Sequence, residues 1–337
     1  MSLRGTDIKA EPKRVLRVGV IGAGVMGTNH ARVLASLPDT SLVGVVDPLP
    51  AHRARATELT DCRTFVELNE LIAEGVDAVT IAAPTHLHHE IALTCIAQKI
   101  HVLVEKPIAS SVEEGRDIVA AARRAGVTLM VGHVERFNPA VAAIKKAITG
   151  EDILSIAITR VGPFPPRMSN VGVVIDLAVH DIDLIRWFTE SDIVEVQPQL
   201  SSAVAEREDI ALLQFRTASG VLAHINTNWL TPFKARSVTV ATRGKYVMGD
   251  LLTRQVTECF GFKPDGSYSM RHLPVGHDEP LRAELFAFLQ AVRSGSAPAV
   301  TGDEGVASLE IATRCLETSA RTAAAPPARK GPRRVVG

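Results

Sequence analysis

The chain has 337 residues, a length that predicts two domains, each large enough to bury its own core. Hydrophobic residues make up 46% and charged residues 22%, close to average globular usage. Lys plus Arg and Asp plus Glu number 37 each, so the basic excess or stripe of a nucleic-acid binder is missing. Cys62, Cys95, Cys259 and Cys315 form no C-x-x-C pair and no zinc spacing, and they are expected to be buried, reduced thiols. Residues 1–14 are polar without the hydrophobic core of a signal peptide, and no apolar run is long enough to span a bilayer. A cytoplasmic location is therefore expected.

From Val15 the chain alternates apolar runs with helical patterns. The runs are Val15 to Ile21, Leu42 to Val46, Ala78 to Ala83, His101 to Val104 and Val127 to Val131. Near-continuous Val/Ile/Leu stretches suit parallel strands covered on both faces. Between them, Met26 to Leu37, Phe65 to Glu74, His88 to Gln98 and Val112 to Arg124 read as helices. This alternation predicts an α/β doubly wound domain over residues 14–132. After Gly132 short strands take over: Ile153 to Arg160, Asp209 to Phe215, Val221 to Trp229, Ser237 to Ala241 and Lys245 to Leu251, with turns at Gly220 and Gly244. One helix, Val174 to Phe188, interrupts them, and Glu279 to Arg293 and Gly305 to Arg321 close the chain. Residues 133–323 thus read as an α+β domain with a mostly antiparallel sheet, between flexible tails 1–13 and 324–337.

The strongest motif is Gly22-Ala23-Gly24-Val25-Met26-Gly27, directly after a strand and opening a helix. Gly22 permits the tight turn, Gly24 lets the backbone approach a pyrophosphate, and Gly27 lets helix and strand pack closely. The helix N-terminus favours the phosphate charge. Asp47 ends the next strand, where a carboxylate accepts the ribose hydroxyls and repels a 2′-phosphate, so NAD is expected over NADP. Arg53 and Arg55 follow and would soften that preference. Ala83, Pro84, Thr85 and His88 lie after the third main strand, where open α/β sheets bind ligands, and are assigned to the cofactor wall. Thr85 equally suits a helix N-cap. His86, His88 and His89 lack a carboxylate or cysteine to complete a ligand set, and no metal is expected.

Glu105-Lys106-Pro107 follows another strand, which points Lys106 at the same crevice and adds Glu105 to the cofactor set. An ammonium beside a nicotinamide can hydrogen-bond the alcohol that loses hydride; an ordinary surface lysine is the alternative. Asp176 and His180 are spaced i, i+4 and would share a helix face. Histidine is the commonest general base, and an aspartate one turn away can orient the imidazole or hydrogen-bond a sugar hydroxyl. The alternative is a solvated acidic face, which Asp181 and Asp183 also fit.

In this order and spacing, the glycine motif, Glu105-Lys106-Pro107 and Asp176-x-x-x-His180 resemble the glucose-fructose oxidoreductase/inositol dehydrogenase (Gfo/Idh/MocA) family, from about Val15 to Arg321. The resemblance implies a Rossmann domain followed by an α+β domain with an open sheet, and a catalytic set of Lys106, Asp176 and His180. The runs 131–139, 160–167 and 173–184 are similar to family members that oxidise C3 of UDP-N-acetylglucosamine to a ketone. On that reading Lys106, Arg136, Asn138, Arg160, Arg167, Asp176 and His180 bind substrate, the arginines through their forked donors to a diphosphate. A free-sugar or inositol dehydrogenase would need no such clamp. A non-catalytic NAD-binding regulator is disfavoured because Lys106 and His180 are both present. A homodimer or homotetramer through an exposed sheet face is expected.

Overall fold

Strands buried on both faces account for the apolar runs of the first 132 residues. The computed structural model describes residues 14–164 and 171–324; Arg167 and the expected tails, apart from residue 324, lie outside them. Strands β1 (Leu16–Ile21), β2 (Thr40–Val46), β3 (Thr64–Phe65), β4 (Ala78–Ile81), β5 (His101–Glu105) and β6 (Leu129–Gly132) form one sheet in the order β3-β2-β1-β4-β5-β6. Every neighbouring pair is parallel. The connections carry helices α1 (Val25–Ser36), α2 (Pro50–Thr60), α3 (Leu68–Ala73), α4 (His88–Ala97) and α5 (Val112–Ala125). Chain order reverses between β1 and β4, so their carboxyl ends open the crevice in which such sheets hold ligands. One expected helix is shorter than its pattern: Phe65 pairs in the sheet, and a reciprocal Glu67/Glu70 capping box starts α3 only at Leu68.

The second unit is an eight-stranded sheet. It contains β7 (Ile153–Pro163), β8 (Ile193–Ser201), β9 (Ile210–Thr217), β10 (Leu222–Asn228), β11 (Leu230–Thr242), β12 (Lys245–Asp250), β13 (Gln255–Phe260) and β14 (Ser269–Leu273). The order is β14-β13-β12-β11-β7-β10-β9-β8, antiparallel except for β7 beside β10. Strict alternation puts Ile156, Ile158, Ile225, Val238 and Val240 in one core with residues of α6 (Pro139–Ile148) and α7 (Val179–Thr189). The other face is open: Leu222, Ser155, Ala241, Tyr246, Cys259 and Met270 follow one another across the strands.

The segment 133–323 is not one unit. Helix α8 (Pro280–Ser294) and the chain to Gly302 group with the parallel-sheet unit, while Ser111–Gly115 group with the second. The cause lies in α8: Leu281, Leu285, Phe288 and Leu289 are all buried along one stripe. Arg282 donates to Ser36 Oγ at 2.9 Å and Arg293 to the Asp39 carbonyl at 2.6 Å. The Val300 carbonyl accepts from Val131 N–H at 3.2 Å. The chain then enters α9 (Gly302–Ala324), whose Ile311, Ala312 and Cys315 join the second core. Cys95, Cys259 and Cys315 are buried thiols as expected, whereas Cys62 is partly exposed. Among the described residues no helix is long and apolar enough to cross a membrane.

Candidate active site

In the parallel-sheet unit the chain leaves β1 through Gly22 at φ 90°, and a Cβ there would lie 2.6 Å from the Ala83 nitrogen. A Cβ on Gly27 would lie 1.7 Å from the Gly22 carbonyl oxygen, so neither position accepts a side chain. At Gly24 the opposite holds: nothing lies within 4 Å of the Cβ position. Gly24 is also the N-cap of α1, without a side-chain cap and without an acid in the first turn. Open N–H groups, positive helix end and free space over Gly24 fit a dinucleotide pyrophosphate.

Asp47 follows β2 and reaches the same loop. Its Oδ2 accepts from Ala23 N–H at 2.7 Å and lies 3.1 Å from His52 Nδ1, and its Oδ1 accepts from Leu49 N–H at 2.8 Å. Burial acts to raise its pKa, but these amides and His52 outweigh it and hold the carboxyl below its ordinary value. Arg53 is turned to the backbone, donating to the Asp47 and Pro48 carbonyls at 2.8 and 3.0 Å.

Ala83, Pro84 and Thr85 follow β4, and Lys106 follows β5, half-buried, so these residues share the carboxyl edge with the glycine loop. Thr85 does not take the N-cap role: it begins a 3₁₀ turn, and α4 starts at His88 without a side-chain cap. Two cofactor assignments change. His88 is buried with its ring nitrogens 3.0 Å from the Pro107 carbonyl and 2.9 Å from the Ala83 carbonyl, so it ties the two strand exits together. Burial lowers its pKa, and the neutral ring carries one N–H, so at any moment it donates to one of these two carbonyls. Glu105 is also turned inward: Oε1 lies 3.0 Å from His30 Nε2, and Oε2 accepts from Lys106 N–H at 3.2 Å. His89 pairs with Asp117 at 2.8 Å. Among the described residues no cluster of three His, Cys, Asp or Glu side chains is arranged to hold a metal.

In the second unit Asp176 lies in a π-helical turn, Val174–Ala178, and His180 is the second residue of α7. The turn closes with Val179 N–H on the Val174 carbonyl, so the wider turn replaces the expected regular i, i+4 face. Both side chains are half-buried. The sequence reading missed His133, which is buried and meets the His180 ring edge to face, with centroids 6.0 Å apart. Its Nδ1 is 4.0 Å from Asp183 Oδ2.

The arginines behave differently from their expected role. Arg160 is buried on β7; its Nε and Nη2 reach both Asp181 oxygens at 2.7 to 3.0 Å, and Nη1 reaches Glu135 at 2.8 Å. Arg136 is buried as well, with Nε and Nη2 on Asp183 at 2.7 and 2.6 Å and Nη1 on Glu304 at 2.8 Å. Both guanidiniums are engaged by carboxylates, Arg160 by the buried Asp181 and Glu135, Arg136 by the buried Asp183 and the partly exposed Glu304. Asn138 likewise caps α6, accepting from Ala140 N–H at 3.0 Å and donating to the Leu251 carbonyl at 3.2 Å. The cation that sequence reasoning passed over is Arg236 on β11, opposite Arg160 in the sheet and only part-buried. Its Nη1 donates to Glu135 at 2.9 Å, and burial and then Arg160 lower its pKa. Glu135 stays ionised: burial opposes this, but Arg160 and Arg236 outweigh it. Only the strict alternation along β11 could have marked Arg236, and its neighbours are too polar to show which face is inward.

Two outcomes follow. Gly27→Ala forces the glycine loop apart and should weaken NAD binding at least about tenfold by calorimetry; an unchanged affinity would contradict the fit. Arg160→Met leaves Asp181 buried without its cation and Glu135 with Arg236 alone, and should cost about 3–5 kcal/mol in urea denaturation. A rise in the substrate KM with unaltered stability would instead restore Arg160 to the substrate.

Comparison with known proteins agrees with this geometry. Residues 16–133 match the oxidoreductase family model with an NAD-binding Rossmann fold, and residues 155–247 match the GFO/IDH/MocA C-terminal domain. The UDP-N-acetylglucosamine 3-dehydrogenase of Acidithiobacillus ferrooxidans is 30% identical over 237 residues, 70% of this chain and 74% of that protein. The inositol 2-dehydrogenase of Rubrobacter xylanophilus is 31% identical over 321 residues, 89% of this chain and 90% of that protein. A solved structure of the A. ferrooxidans enzyme GnnA superposes with a TM-score of 0.83 at 27% identity, covering 90% of this chain and 97% of that one. Motifs, fold and relatives agree that the chain is an NAD-dependent oxidoreductase belonging to the Gfo/Idh/MocA family.

Proposed function

We propose that this protein oxidises a secondary hydroxyl of a sugar to a ketone, with C3 of UDP-N-acetylglucosamine as the favoured site. The observation that carries the reading is a half-buried lysine at the carboxyl edge that holds the glycine loop, in a chain that also carries Asp176 and His180. NAD, when bound, supplies the acceptor for the hydride that leaves the carbinol carbon with its electron pair. Lys106 hydrogen-bonds the alcohol oxygen and stabilises negative charge developing there. His180 takes the hydroxyl proton, and Asp176 orients the substrate. His133, packed against the His180 ring, limits the orientations that ring adopts.

The similarity to the A. ferrooxidans enzyme supports a nucleotide sugar, and Arg236 is the cation we assign to its diphosphate. A second reading, oxidation of an inositol or free aldose, is favoured by one observation: Arg136 and Arg160 are spent on internal carboxylates. Absorbance of NADH during incubation with UDP-N-acetylglucosamine, myo-inositol and free aldoses separates them. Turnover confined to the nucleotide sugar is the expected result, and turnover confined to free polyols would overturn the substrate assignment. His180→Ala should lower turnover about 10²- to 10⁴-fold while NAD still binds; wild-type turnover in that variant would remove His180 from the base role.

We further assign the open sheet face to a second copy of the chain. Leu212, Leu222, Tyr246, Met248 and Met270 are all exposed on it, a spread of apolar surface that monomers rarely leave in water. Sedimentation should give a dimer or tetramer, and Leu222→Glu with Met248→Glu should dissociate it. A wild-type monomer would contradict the assignment.

A further inference from the structure

The main chain at Lys106 is held on both flanks. On one side Glu105 Oε2 accepts from Lys106 N–H at 3.2 Å, while Oε1 lies 3.0 Å from His30 Nε2 on α1. On the other side the contact comes from α4. His88 is the first residue of that helix and heads its buried stripe, His88, Ala92, Cys95 and Ile96. That spacing is the core face of a helix, so the packing of α4 sets where the ring lies. The residue is 1% exposed, and its two ring nitrogens meet two different strand exits. Nδ1 is 3.0 Å from the carbonyl of Pro107, the residue after the lysine, and Nε2 is 2.9 Å from the carbonyl of Ala83, just past β4. Away from water, a ring nitrogen and a carbonyl each need a partner. The neutral ring has one proton to share, so each exit is served by its own edge of the imidazole.

We propose that His88 is a positioning residue for Lys106: its Nδ1 edge holds the Pro107 carbonyl, and with it the turn that carries the lysine, while its Nε2 edge holds the cofactor wall at Ala83. His88 acts in this way only if Lys106 has the role given above. A lysine stem is long and flexible, so the place its ammonium reaches depends first on where its main chain is fixed. Misplacing a catalytic group by about 1 Å costs about 10²-fold in rate. Loss of the Nδ1 edge therefore falls on turnover, and loss of the Nε2 edge falls on NAD binding. A histidine that only stabilised the fold would move both readouts together.

Two conservative variants separate the edges. The amide nitrogen of an asparagine reaches the place of ring Nδ1, and that of a glutamine the place of ring Nε2. His88→Asn thus keeps a donor for Pro107 and gives up Ala83, whereas His88→Gln keeps Ala83 and gives up Pro107. The assay uses whichever of UDP-N-acetylglucosamine and myo-inositol the enzyme turns over. In His88→Gln, kcat should fall about tenfold or more, and in His88→Asn by a factor about fivefold smaller or less. NAD affinity by calorimetry should follow the opposite order, weaker in His88→Asn than in His88→Gln. Hydrogen exchange read by mass spectrometry should quicken after β5 in His88→Gln and after β4 in His88→Asn. Equal kcat in the two folded variants, or the same exchange pattern in both, overturns the proposal. If neither variant folds, nitrogen NMR of the wild-type ring decides: a proton on Nδ1 for part or all of the time supports the contact with Pro107, and a proton confined to Nε2 overturns it. Lys106→Met is the control for the underlying reading: full activity there sinks the role of Lys106, while the exchange pattern still reports whether His88 holds the turn.

Discussion

In the second unit, the position of the candidate base depends on a single buried cation. Arg160 projects from β7 and grips both oxygens of Asp181, the residue after His180, while its remaining arm takes Glu135. A guanidinium without water must use its donors on carboxylates, and a carboxylate without water must find donors, so the three groups fix one another. Helix α7 is thereby locked to the sheet one residue from His180. A second ion pair, Arg136 with Asp183, repeats the device two residues further along the helix. The π-helical turn before α7 then sets Asp176 at an angle that a regular helix would not give. Such a frame contributes more to orientation than to stability, since buried ion pairs roughly balance their own desolvation.

The parallel-sheet unit handles charge by a different rule. Its glycine loop leaves backbone N–H groups open and keeps side chains away, so the positive potential needed for a pyrophosphate comes from the helix end and not from cations. Asp47, at the end of β2, anchors Ala23 of that loop. At the exit of β5 the buried Glu105 carboxylate, held by His30, accepts from the Lys106 N–H. Potential is thus set by fixed dipoles and one internal anion, an arrangement that needs little reorganisation during charge movement.

Most of the fold was legible because its signals are local. Apolar runs placed β1, β2, β4, β5 and β6, and the glycine spacing placed the tight turn from β1 into α1, since each reflects a backbone requirement within a few residues. What escaped depends on partners distant in sequence. Arg136 and Arg160 look like surface or ligand cations until Asp183 and Asp181 are seen to hold them. Helix α8 reads as part of the second domain because nothing in its sequence says which core receives Leu285 and Phe288. Glu284 sits in that same apolar stripe and, read alone, is an ordinary solvent-facing acid. His133 was visible only as part of a motif, because an edge contact with His180 depends on the return of the chain after 47 residues.

In the proposed reaction a carbon-bound hydrogen moves from the sugar to NAD. The most direct measurement is turnover of substrate carrying deuterium on the carbon to be oxidised, C3 in UDP-N-acetylglucosamine, followed by mass spectrometry and proton NMR of the nicotinamide formed. Direct transfer predicts one deuteron on the nicotinamide ring and none released to water. Product formation with the deuteron retained on the sugar or lost to solvent would contradict the account.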